Sequence, residues 1–129
     1  MTKQRIFISF DYDNDEDIKN LLAGQAKLTD SPFDFKDASV KEHLTGDWKA
    51  KAKARISNCD QIIILCGQQT HNARGVSAEL EMAQELNKPY FLLEGRSSYV
   101  CTKPASASSS DTIYTWSWSN LKALIGGAR

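Results

Sequence analysis

The chain has 129 residues, enough for one domain with a single core. Its 16 basic and 16 acidic residues cancel, which argues against the broad positive footprint of a nucleic-acid or anionic-membrane binder. No apolar run approaches the ~20 residues of a membrane span, and the apolar run behind the N-terminus is too short for a signal peptide, so the expected place is the cytoplasm.

A short β-rich run at 5–10 opens the chain and breaks directly into acid, with Asp11, Asp13, Asp15 and Asp17 at every second position. A helix is predicted over 15–27, where Ile18, Leu21, Leu22 and Ala26 recur at helical spacing and Asp13 or Asn14 stands at the N-cap. The acidic run fails as a calcium loop. Counted from Asp11, the glycine and glutamate positions of such a loop hold Glu16 and Leu22. It fails as a receiver phosphoacceptor site too, because the third apolar run ends Leu65-Cys66-Gly67-Gln68 with no aspartate. The remaining reading is a helix start. Asp15, Glu16 and Asp17 complement the partial positive charge of the helix N-terminus, and Asp11 and Tyr12 precede it at the border of a crevice.

A second strand is expected at 33–36. Residues 48–57 alternate lysine and alanine, which mimics a strand, but the residues are strong helix formers and Trp48, Ala52 and Ile56 fall one turn apart. QIIILC at 61–66 is a strand buried on both faces. A helix over 75–87, a strand at 89–94 and a serine-rich loop at 96–110 follow. A last strand falls within 112–116, and Ser119 is placed as the cap of a final helix to Ile125, stopped by Gly126-Gly127. The three cysteines, Cys59, Cys66 and Cys101, show no paired spacing and read as inert thiols.

Strands alternating with helices predict a single α/β domain over 1–129: a flavodoxin-like three-layer sandwich with a five-stranded parallel sheet in the order 2-1-3-4-5. Ligands in such sheets sit beyond the carboxyl ends of the strands at the switch between strands 1 and 3. The loops after Phe10, Lys36 and Cys66 would surround that crevice.

One carboxylate breaks the pattern. On the helix at 75–87, Val76, Leu80, Met82, Ala83 and Leu86 form an apolar arc, and Glu79 falls inside it while Glu81 and Glu85 fall opposite. A carboxylate there must be paired, hydrogen-bonded or exposed to a cleft. It is either a structural ion pair or a group held at a pocket rim.

FISF with Asp11, then FDFKDASV, Trp48 and QIIILCGQQTHNARGVSAELEMAQELNKPYFLL, in that order, resemble the TIR-like domain family, the short bacterial TIR-like proteins of Thoeris anti-phage defence, over roughly residues 4–95. The resemblance implies an enzyme that cleaves NAD between nicotinamide and ribose, with NAD as substrate and no further cofactor or metal. It implies Glu79 as the catalytic residue and Phe10, Asp11, Asp37, Ser39, Trp48, Thr70 and His71 as substrate-binding. It further implies self-association that completes the site and a diffusible product that addresses a separate effector protein, without nucleic acid or membrane.

Several of these positions also have a plainer reading. Phe10 is a strand-end core residue, Asp37 and Ser39 are turn formers, Trp48 anchors a helix, and His71 is a surface or capping group. Ala73 and Gly75 depart from the serine and tryptophan of the S-x-W-V-x-x-E pattern of many relatives. A non-enzymatic interaction module and a nucleoside deoxyribosyltransferase-like enzyme are the alternatives.

Overall fold

The computed structural model describes residues 4–29, 31, 33–38, 47–95 and 100–127, with the backbone alone at 13 and 36–38. Five strands, β1 (Gln4–Ser9), β2 (Phe33–Ala38), β3 (Gln61–Cys66), β4 (Tyr90–Glu94) and β5 (Ile113–Tyr114), form one sheet. They are all parallel, in the order β2-β1-β3-β4-β5. The helices are α1 (Tyr12–Gln25), α2 (Trp48–Ser57), α3 (Arg74–Glu85) and α4 (Trp118–Ile125). This is the expected flavodoxin-like topology, with β1 and β3 side by side at the sheet centre.

The two-residue period of a strand divides the core into two layers. Ile6, Ile8 and Phe10 pack with Ile63, Leu65, Phe91 and Leu93 against Ile18 and Leu22 of α1 and Leu121, Leu124 and Ile125 of α4. Phe7, Ile62, Ile64 and Leu92 face the other way, against Ala52 and Ile56 of α2 and Val76, Leu80, Met82 and Ala83 of α3. Every residue of β3 is buried, as a central strand covered on both faces requires. The same alternation puts Ser9, two residues after Phe7, on the α3 side.

The lysine–alanine run of α2 is helical over the predicted residues, with Ala52 and Ile56 inward. The start of the last helix differs from expectation by two residues. Ser117, not Ser119, is its N-cap: the Asn120 N–H donates to Ser117 Oγ at 3.1 Å, and the extended backbone of Ser117 suits that role. At the other end, Gln61 Nε2 donates to the Ile125 carbonyl at 2.6 Å, satisfying one of the carbonyls a helix terminus leaves open. Leu21, predicted on the apolar stripe of α1, is 65% exposed. The stripe is Ile18, Leu22 and Ala26, and Leu21 lies about 100° round the helix from Leu22.

The start of α1 overturns a larger expectation. The helix begins at Tyr12, where the Asp11 carbonyl accepts from the N–H groups of Asn14 and Asp15. It is broken at Asp15, whose φ and ψ are −125° and 17°. Glu16 and Asp17 are exposed as a helix-start charge should be, but Asp15 is 1% exposed. Its carboxyl group turns inward against Gly67, just past the end of β3, where a Cβ would overlap it. Asp15 is therefore a core contact between α1 and the β3–α3 connection, not a solvated charge.

Cys59 and Cys66 are buried and Cys101 is half-buried, with no disulfide among the described residues. Burial above all pushes the Cys66 thiol well up; the neighbouring Cys101 and Asp15 add to the rise, and Lys103 opposes it. Among the described residues no helix is long and apolar enough to cross a membrane.

Gly67→Ala must displace the buried carboxyl group of Asp15. It is expected to lower unfolding free energy by about 1–3 kcal/mol, the usual cost of overpacking, read from urea denaturation midpoints.

Candidate active site

A cavity of about 820 Å³ opens at the carboxyl edge of the sheet, at the switch between β1 and β3. Three segments wall it. The first is the end of β1 and the start of α1, with Phe10, Asp11, Tyr12 and Asn14; the second is the first turn of α2, with Trp48 and Lys49. The third is the β3–α3 connection and the first turn of α3, including Gln69, Asn72, Arg74 and Gly75. Its size lies within the range of small-molecule sites, about 300–1,000 Å³.

Phe10 follows the last residue of β1, between the core and the cavity. It is 1% exposed and belongs to the α1/α4 core layer, yet it also reaches the cavity wall. Its ring meets that of Tyr12 at a centroid distance of 5.5 Å, and Lys19 Nζ lies 5.6 Å from its centroid. Asp11 accepts a hydrogen bond from Asn14 Nδ2 at 2.7 Å, which fixes its carboxylate at the cavity mouth. A hydrogen bond with Glu16, then the charge of that carboxylate, holds the Tyr12 phenol above its ordinary value. Trp48 is half-buried, with one side against the α2/α3 layer and another on the cavity.

Glu79 is 2% exposed, and Ser9 Oγ donates to its Oε1 at 2.7 Å. It is not part of the cavity lining; it lies one turn behind it. Gly75 and Val76, four and three residues earlier on the same helical face, are lining residues. Side chains on a helix lean toward its N-terminus, so the Glu79 carboxyl group points toward the turn that forms the wall. At the i−4 place stands Gly75, which has no side chain to cover it. With glycine in place of the tryptophan of related sequences, that position of the wall carries no side chain.

Thr70 and His71 do not line this cavity. Thr70 is fully buried, and its Oγ1 accepts from the Gly67 N–H at 2.7 Å, tying the connection together from within. His71 is exposed and lines an adjoining hollow of about 430 Å³. Its backbone N–H donates to Thr102 Oγ1 at 3.0 Å, and its Nδ1 lies 3.0 Å from the same oxygen. Thr102 also donates its backbone N–H to the Gly67 carbonyl at 2.9 Å. A little further along, Ser106 donates two hydrogen bonds to Ser77 of α3, from its N–H to Ser77 Oγ at 3.0 Å and from its Oγ to the Ser77 carbonyl at 2.7 Å. The serine-rich segment is thereby fastened across the β3–α3 connection.

Asp37 is placed by its backbone near the end of β2, paired with Phe7. Ser39 lies outside the described residues, as does His43. Among the described residues no three His, Cys, Asp or Glu side chains converge as a metal site would require. The sequence reading missed Asn14, Lys49, Gln69, Asn72 and Arg74 as wall residues. Their only signal was proximity in sequence to Asp11, Trp48 and Thr70.

The family model described as Thoeris protein ThsB, TIR-like domain, matches residues 7–97. The matched segment runs from the second half of β1 through β4 and carries all three cavity walls and Glu79. No curated protein matches the chain.

Ser9→Ala removes a donor from a carboxyl group that sits almost wholly out of water. The expected loss of stability is about 1.5–3 kcal/mol, as for other hydrogen bonds to charged groups, measured by denaturant unfolding against the wild type.

Proposed function

The chain belongs to the TIR-like domain family of the Thoeris protein ThsB, and from that premise we propose that it cleaves NAD at the bond between nicotinamide and ribose. The supporting observation is the place of Glu79: a buried carboxyl group on an apolar helix face, bonded to Ser9 and one helical turn after Gly75 and Val76, which line a ligand-sized cavity at the sheet's switch point.

Cleavage breaks the C1′–N bond, and its electron pair leaves with the nicotinamide nitrogen, which departs neutral. Positive charge builds on the ribose as in an oxocarbenium ion. A carboxylate nearby favours that charge, and it does so most strongly in a site that excludes water. No strong general acid is required, so one carboxylate suffices where ordinary glycoside hydrolysis uses two. An oxygen nucleophile then bonds to C1′ and releases its proton: water for hydrolysis, a hydroxyl of the same nucleotide for cyclisation, or another acceptor for transfer. In this reading Ser9 holds Glu79 in one rotamer before substrate arrives, and Phe10, Asp11 and Trp48 border the reacting half of the nucleotide. The product would be a nucleotide signal of the defence response, acting on a separate effector, and copies of the chain would associate to complete the site.

A second reading has one observation in its favour. Glu79 is bonded within the chain and is 2% exposed, as it would be in an interaction module that performs no chemistry.

Glu79→Gln separates the two. Glutamine keeps an oxygen for the Ser9 hydroxyl, so the variant is expected to fold. Nicotinamide release from NAD should fall by at least about 100-fold, the scale of losing one transition-state electrostatic contact. Undiminished release by the folded variant would remove Glu79 from the chemistry.

A further inference from the structure

The large cavity does not end at α3. It adjoins the hollow that carries His71, Ser77 and Glu81, and Lys49, Asn72, Ala73, Arg74 and Ala78 line both spaces. The border between the two lobes therefore carries two cations. Lys49 is engaged differently from the other lysines of α2. Lys51 pairs with Asp47 at 3.3 Å and Lys53 with Glu85 at 3.0 Å. Lys49 shares a helix face with Lys53 but stands one turn earlier. Among the described residues neither Lys49 nor Arg74 is in an ion pair with a carboxylate. Asp11 lines the large lobe only, whereas Glu81 lines the small lobe beside both cations and a neighbouring groove beside Lys49.

This distribution has a chemical complement. Carboxylates in the lobes accept hydrogen bonds from hydroxyl groups, and two cations at the waist attract an anion that links the lobes. A dinucleotide has that order of groups, with hydroxyl-bearing riboses on either side of a diphosphate. We propose that Lys49 and Arg74 form a diphosphate clamp, with one nucleoside half in the large lobe and the other in the small lobe against His71 and Ser77. The clamp deepens the NAD reading and rests on it for the identity of the ligand. It assigns the diphosphate to residues that the S-x-W-V-x-x-E pattern does not specify, in a chain without a glycine-rich phosphate loop.

Both side chains are on the exposed surface of their helices, so Lys49→Gln and Arg74→Gln are expected to fold. Inorganic pyrophosphate is titrated into the full chain by calorimetry at low salt, and KM for NAD is measured alongside. Each variant should bind pyrophosphate about tenfold more weakly than wild type, as for loss of a charge-assisted contact. KM for NAD should rise by a similar factor with kcat little changed. Lys51→Gln, whose lysine lies on another face of α2, should match the wild type. The proposal is overturned if wild type binds no pyrophosphate, or if both variants bind it undiminished. NAD cleavage with unaltered KM in both variants would remove the clamp and leave the glycosidic reading intact. Pyrophosphate binding lost in the variants of a protein that never cleaves NAD would uphold the clamp and remove that reading.

Discussion

A carboxyl group inside an apolar layer must find hydrogen-bond donors, and the arrangement of this protein around β1 and α3 follows from how Glu79 does so. Its described donor is Ser9, 70 positions earlier in the chain. The bond exists because β1 sends alternate residues to opposite faces. Phe7 and Ser9 look toward α3 while Ile6, Ile8 and Phe10 look toward α1 and α4. A shift of one residue in β1 would swap these sets, placing an apolar side chain against the carboxyl group and a hydroxyl among the hydrocarbons of the other layer. The polar contact thus acts as a register mark for the central strand. It also sets the position of the helix whose first turn walls the cavity.

The cavity is an outcome of topology as much as of side chains. With β1 and β3 adjacent at the centre of the sheet, the chain leaves them for helices on opposite faces, α1 after β1 and α3 after β3. The carboxyl ends of the two strands consequently diverge and leave a space. Trp48 and Lys49 close its third side because α2 packs beside α3 on one face. Gly75 then matters for what it lacks. It leaves that position of the cavity wall without a side chain.

The extent of α2 and β3 and the odd position of Glu79 were legible in the sequence, because each depends on a period or a run within a few residues, and the order of the sheet followed from the alternation of strands and helices along the chain. Helix propensity settled α2 against its strand-like alternation, and burial of the Trp48–Ala52–Ile56 stripe agrees. Asp15 was not legible. It reads like its neighbours Glu16 and Asp17, and only the arrival of Gly67 from another strand determines that it turns inward. The same holds for Lys49, Arg74, Gln69 and Asn72. A cavity wall gathered from three segments has no signature in any one of them. Thr70 and His71 lie next to wall residues, but burial of one and the tie of the other to Thr102 direct them elsewhere. Ser117 and Ser119 flank the start of α4 with identical side chains, and only the backbone angles choose between them.

The fastening made by Thr102 and Ser106 has a mechanical consequence. The cavity edge from Gln69 to Asn72 is held from outside by Thr102, from inside by Thr70, and at the base of α3 by the two hydrogen bonds from Ser106 to Ser77. It is not an independent flap. Any widening of the entrance on that side has to carry the downstream segment with it as one rigid body, and strain imposed on either segment passes directly to the other.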